Sequence, residues 1–169
     1  MPIQNPQDLF VWMLSDVRHR EERTKNIVQE MSQYAQDPEV KESLDAWLYL
    51  KDKTVNTLDQ CFKLMGRQPI QTTSRLHDVF LEDFRKELNE IQAPLARGLY
   101  IRAKANQLMH LHIGEYAALT GMADLSGHYG VGDLIETCLA DYLAFVRRTR
   151  RRIRDIVESE VAGKMKKAA

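Results

Sequence analysis

The apolar residues of this chain recur at steps of three and four, and that spacing limits the fold more than any other feature. Phe10, Leu14, Val17, Glu21, Thr24, Val28, Met31 and Ala35 follow one another in this way. Such a series lies on one face of an α-helix and cannot stay on one face of a strand. Proline punctuates the pattern. Asn5-Pro6 opens the first helix, and Asp37-Pro38 closes it and opens the second. Proline suits a first helical turn because that turn's N–H groups have no partner inside the helix. The second helix is predicted from Asp37 to about Met65, with Leu44, Trp47, Leu48, Val55, Leu58, Phe62 and Met65 as its apolar stripe and Gly66 as its C-terminal cap. RQPIQTTS is a loop, and Leu76, Val79, Phe80 and Phe84 mark a shorter helix from Ser74 to about Ile91. A third long helix runs from Ala93-Pro94 to about Ala123. Ser126, Gly127, Gly130 and Gly132 mark a turn, and a fourth long helix covers about Val131 to Val161, followed by a fraying tail over residues 162–169.

Four long helices with a short extra helix between the second and third predict an all-α fold. The second-to-third connection is far longer than the turn between the last two helices. An up-down four-helix bundle with one long crossover satisfies this order, and ferritin-like folds are its standard members. The 169 residues suffice for a single domain, 1–169, around one core. Hydrophobic residues at 44% and charged residues at 28% argue against general disorder. The formal net charge is zero, so overall charge points to neither a nucleic-acid nor a membrane partner. MPIQNPQDLF lacks the basic start and small-residue cleavage site of a signal peptide. No apolar run is long enough to cross a bilayer, and Cys61 and Cys138 form neither a CxxC pair nor a zinc-type cluster. A cytoplasmic location is expected, with both thiols reduced and used as small core fillers.

Three polar residues fall on or beside the apolar stripes. Glu21 lies in register between Val17 and Thr24. A buried carboxylate must be paired, hydrogen-bonded or metal-bound, so either Glu21 has such a partner or the stripe is narrow and it faces solvent. In the third helix Ala105, Leu108, His112, Tyr116 and Leu119 share a face. His110 points about 200° away from His112, so the two cannot chelate one ion from a single helix. His112 is then either a hydrogen-bonded core residue or a ligand. In the fourth helix the core face reads Leu134, Cys138, Asp141 and Phe145, with Tyr142 alongside. Asp52 leans off the stripe of the second helix, whose mid-positions are Trp47, Tyr49 and Leu50.

Several stretches resemble the YciE/YciF family of small bacterial ferritin-like proteins. LFVWMLSDVRHREE, with Leu14, Ser15, Asp16 and Glu21, is similar to that family's first helix. VNTLDQCFKLMGRQP is similar to the end of its second helix, HLHIGEYAAL to its third and LIETCLAD to its fourth. The resemblance implies a stress-associated protein with a carboxylate-rich dimetal site between the helices. It would put ligands at Glu21, near Tyr49 and Leu50, at Met109 and His112, and at Asp141 and Tyr142. The chain departs from that pattern at most of these positions: Trp47 replaces a histidine, Tyr49 and Leu50 an acidic pair, and Met109 and His112 two acids. Only Glu21 is kept. A dimetal centre needs about six protein ligands, mostly carboxylates, and Glu21, His112 and Asp141 make three at most.

Two functions are therefore open. One is a non-catalytic bundle with a degraded metal centre, in which Glu21 hydrogen-bonds to His112, Tyr49 or Tyr142 and no cofactor binds. Its role would be structural or in interactions, as a homodimer paired through the outer edge of helix one at Phe10, Trp12 and Met13. The other is an oxidase or peroxide-handling metalloprotein with a mononuclear iron, manganese or zinc site at Glu21, His112 and Asp141. RRTRRRIR, Arg147–Arg154, is the only hint of nucleic-acid binding. With Phe145, Ile153 and Ile156 keeping one face apolar and Asp155, Glu158 and Glu160 nearby, it reads better as a solvated face. GxGxxG, P-loop and G-x-S-x-G motifs are absent, and YGVGD reads as a turn between helices.

Overall fold

A computed structural model of the chain describes residues 3–73 and 75–168, without side-chain detail at 156 and from 159 onward. All regular elements among these residues are helical: α1 (Pro6–Tyr34), α2 (Pro38–Met65), α3 (Leu76–Glu90), α4 (Pro94–Leu125) and α5 (Tyr129–Ala168). Local chemistry sets the boundaries. The Asn5 side chain accepts from the Asp8 N–H at 2.8 Å, and Asp37 accepts from the Glu39 N–H at 2.7 Å. Each cap satisfies a donor that the helix leaves free and contributes about 1 kcal/mol. Gly66 ends α2 at φ 62°, in the left-handed region where a side chain is strained. Gly127 turns the chain between α4 and α5 at φ 74°.

The four long helices form a closed ring. α1 packs on α2 and α4, and α5 packs on the same two. Val40, near the start of α2, faces Gly98, near the start of α4. α2 and α4 therefore run the same way, and the long crossover carries the chain back along the bundle between them. α3, inside that crossover, lies against α1 and α4. The loop before α3 is tied to α1 by Ser15, whose hydroxyl accepts from the Ile70 N–H at 3.0 Å and donates to the Val11 carbonyl at 2.6 Å.

The inward face of each helix keeps the three-four spacing, and the buried apolar residues make one core. α2 buries Leu44, Trp47, Lys51, Thr54 and Leu58, and α5 buries Val131, Ile135, Cys138, Tyr142, Phe145 and Thr149. Cys61 and Cys138 are buried free thiols, and burial pushes both up to about 12. Three local expectations need correction. Gly130 and Gly132 belong to the first turn of α5, which starts at Tyr129, because Gly127 alone makes the reversal. Phe10 is buried and stacks on the His128 ring at 5.9 Å between centroids, so it is not on the outer edge of α1. The α5 backbone continues to Ala168 through a proline-free run in which alanine, lysine and methionine favour a helix and Gly163 alone does not. Ser74, Ala169 and the side chains of Ile156 and Glu160 lie outside the described residues. Among the described residues, no helix is long and apolar enough to cross a membrane.

Candidate functional site

The centre of the bundle is polar, and every long helix contributes to it. Glu21 of α1 and Lys51 of α2 are both 0% exposed, and their side chains meet at 2.5 Å between Nζ and Oε2. Tyr116 of α4 donates to Glu21 Oε1 at 2.5 Å. The Tyr142 hydroxyl of α5 lies 3.0 and 2.9 Å from the two oxygens. The rest of the Lys51 ammonium sits between ring faces, 5.2 Å from the Trp47 centroid and 5.1 Å from that of Tyr142. Such cation–π contacts compensate in part for lost water.

A second string of polar groups joins this centre to α3. The Thr24 hydroxyl donates to the Arg20 carbonyl at 2.8 Å and lies 2.8 Å from His77 Nε2 and 3.0 Å from His112 Nε2. With its one proton directed at the carbonyl, Thr24 accepts from both imidazoles, so each presents an Nε2–H. His112 then turns Nδ1 toward two carboxylates, 3.3 Å from Glu21 Oε1 and 3.2 Å from Glu115 Oε2, without a well-aligned bond to either. Arg20 joins Glu115 to Asp16, the latter at 2.5 Å.

The electrostatics follow from this packing. Burial alone would raise the Glu21 carboxyl. The charges of His112 and Lys51, with hydrogen bonds from Lys51 and Tyr116, outweigh burial and hold it at about 2. Burial lowers Lys51, and Glu21 offsets only part of that effect. Burial also lowers His77, to about 4, helped by the neighbouring charges of His112 and Lys51. Tyr116 and Tyr142 are pushed well above the ordinary phenol value by burial and then by Glu21, so both remain donors.

The family model described as a domain of unknown function, DUF892, matches residues 5–165. The chain belongs to the DUF892 family. Solved structures similar to this DUF892 chain include the stress protein YciF of Escherichia coli, at TM-score 0.85 and 16% identity over 92% of this chain and 99% of that one. YcfI from Rhodopseudomonas palustris is similar at TM-score 0.83 and 24% identity, covering 88% of this chain and 94% of that one. A protein of Xanthomonas campestris pv. campestris is similar at TM-score 0.71 and 17% identity, covering 95% and 99%. No curated protein matches the chain. The fold is the YciF-type ferritin-like bundle.

Of the residues singled out in the sequence, the structure brings Glu21, His112 and Tyr142 together. Asp141 and Tyr49 stand apart from them. Asp141 follows the buried Cys138 by three residues and precedes Tyr142, which occupies the inward position. Its side chain is 34% exposed and pairs with Lys53 at 2.6 Å. Tyr49 is 78% exposed, because Trp47 and Lys51, two residues to either side, take the inward face of α2. Met109 is a core residue, His110 is exposed, and Asp52 pairs with Lys25 at the surface. Lys51, Thr24, His77, Arg20 and Glu115 join the centre as well. Lys51 carried a readable signal, since Leu44, Trp47, Lys51, Thr54 and Leu58 continue the three-four spacing. His77 carried a weaker one: it shares the register of Phe84 and Leu88 on α3, but its partner depends on where the crossover crosses α1. The surface position of Asp141 gives a direct test. Asp141→Asn is expected to shift urea-unfolding stability by no more than about 0.5 kcal/mol. A loss of several kcal/mol would return Asp141 to the core.

The dimetal centre implied by the resemblance does not fit these residues. One carboxylate, Glu21, stands in the middle, and an ammonium stands beside it where cations would have to bind. Its two oxygens are taken by Lys51, Tyr116 and Tyr142, and Glu115 is held by Arg20. Among the described residues, no group of three or more His, Cys, Asp and Glu side chains is arranged to hold a metal ion.

Proposed function

We propose that the protein is a non-catalytic, metal-free bundle in which the Lys51 ammonium replaces the charge of a metal and joins α2 to the Glu21 centre. The observation that carries this reading is the Lys51–Glu21 pair, fully buried at 2.5 Å. A metal ion would have to displace that ammonium while competing with its charge. The chemistry left at the centre is hydrogen bonding among phenols, imidazoles and one carboxylate, which stiffens a fold and leaves no open position for a substrate. The biological role is then structural or in interactions. A part in the stress response is suggested by the fold shared with YciF, a stress protein of Escherichia coli. The protein acts in the cytoplasm as a homodimer paired along α1, where Trp12 is 38% exposed beside the half-buried Met13.

Elemental analysis tests this reading. Protein purified from cells grown with added iron, manganese and zinc is expected to hold far less than one atom of any of them per chain. Added iron(II) or manganese(II) is expected to leave its melting temperature unchanged. Near-stoichiometric metal that disappears in Glu21→Ala and His112→Ala would sink the proposal and leave the mononuclear enzyme standing.

A further inference from the structure

On the outside of the ring, α2 and α5 enclose a groove of about 460 Å³. Its size lies within the usual range of small-molecule sites. The floor is apolar, made by Ala46, Leu50 and Phe145 with Tyr49 as a wall. The far end is closed by the Lys53–Asp141 pair. The other end, around Ser43 and Thr149, is rimmed by Arg148, Arg152 and Glu42.

Behind that second end lies a buried cation. Arg102 of α4 is only 3% exposed, and among the described residues neither terminal nitrogen has a hydrogen-bond partner. Its nearest carboxylate oxygen, on the exposed Glu39, is 3.9 Å away. Arg102 lines a water-sized void of about 10 Å³, and Ser43, Phe145 and Thr149 line both that void and the groove. An arginine so placed is costly unless an anion meets its planar fork. Burial lowers Arg102, and the charge of Arg152 adds to this while Asp37 and Glu39 oppose it. Arg152 stands 3.3 Å from the Ser43 hydroxyl and 3.8 Å from Glu42, so a second guanidinium flanks the same opening.

We propose that the α2/α5 groove binds an amphipathic carboxylate of the medium-chain fatty-acid class. The headgroup seats between Ser43 and Thr149, pairs with Arg152 and sets one carboxylate oxygen, an atom about the size of a water, in the void against Arg102, and the chain lies on Leu50 and Phe145 toward Lys53. The span from Ser43 to Lys53 along α2 is ~15 Å at the helical rise, enough for an extended chain of about ten carbons. A bare inorganic anion would leave the apolar floor uncovered, and a neutral alcohol would give Arg102 an acceptor without a counter-charge.

Decanoate titrated below its micelle concentration into the full-length protein, followed by calorimetry and melting temperature, tests the site. Saturable binding with a rise in melting temperature is expected. Decanol is expected to bind about ten- to a hundredfold more weakly, the worth of a charge-assisted bond, and inorganic phosphate is expected to cause no shift. Arg102→Met loses an unpaired buried cation, so it is expected to melt higher than the native protein without ligand and to bind decanoate about ten- to a hundredfold more weakly. Ala46→Trp, which fills the groove and leaves Arg102 in place, is expected to weaken binding similarly. Equal affinity for decanoate and decanol, binding unaffected by either substitution, no saturable binding, or phosphate binding as tightly as decanoate would each overturn the proposal.

Discussion

Lys51→Met is expected to lower the stability of the protein by about 3–5 kcal/mol, the usual cost of removing one partner from a buried ion pair. The size of the loss comes from Glu21. Its carboxylate has no route to water, and without the ammonium it keeps only the two phenols and the His112 ring. Glu21→Gln is expected to be costly for the converse reason. Lys51 would then sit between Trp47 and Tyr142 with ring faces and a neutral amide in place of a counter-charge. The double variant Glu21→Gln/Lys51→Met removes both charges together. Its cost is expected to fall within about 1–2 kcal/mol of the native protein, because an apolar replacement of a buried pair is often neutral. Urea unfolding of the four proteins at pH 7 gives the coupling directly. Strict additivity of the two single losses would mean that the charges do not depend on each other, and Lys51 could not then be the cation that replaces a metal.

The ring of helices was legible in the sequence because its cause is periodic. Asn5-Pro6, Asp37-Pro38, Gly66 and Pro94 mark boundaries through local chemistry that needs no tertiary context, and the structure has those boundaries within a few residues. The long crossover followed from simple chain length. The centre was less legible, for two physical reasons. A shift of one residue on a helix turns a side chain by about 100°, and that separates the surface Asp141 from the buried Tyr142. The other reason is the treatment of lysine as a surface residue. Lys51 continues the spacing of the α2 stripe, yet an ammonium is rarely placed in a core unless its partner is already known, and that partner lies thirty residues away. His77 shows where a single sequence runs out. Its register with Phe84 and Leu88 marks the inward face of α3, but its bond to Thr24 comes from the packing of α3 against α1 and is not encoded near residue 77.

Acidification is expected to destabilise the fold in two stages, and His77 and Glu21 set the windows. Both groups have folded-state values below their ordinary ones, so both contribute stability at neutral pH that is lost as pH falls. His77 titrates at about 6.5 in an unfolded chain and at about 4 in the fold, where burial and the charges of His112, Lys51 and Arg20 oppose a further proton despite Glu115 nearby. Between these values the unfolded state binds the proton and the folded state does not. Stability then falls by ~1.4 kcal/mol per pH unit, about 3 kcal/mol across the window. Glu21 adds a second loss of similar size between its ordinary 4.5 and about 2, because protonating it breaks the pair with Lys51. Stability measured by urea unfolding from pH 8 down to pH 3 is expected to be level above about 7 and to slope downward from there. His77→Gln is expected to flatten the slope between 6.5 and 4 while leaving the steeper fall below 4.5, and Glu21→Gln is expected to do the reverse. A His77→Gln profile parallel to that of the native protein through the upper window would show that the ring takes up its proton in the fold as readily as in water. That proton would go to Nδ1 with the Nε2–H to Thr24 kept, and burial of the ring would then not be what sets the upper window.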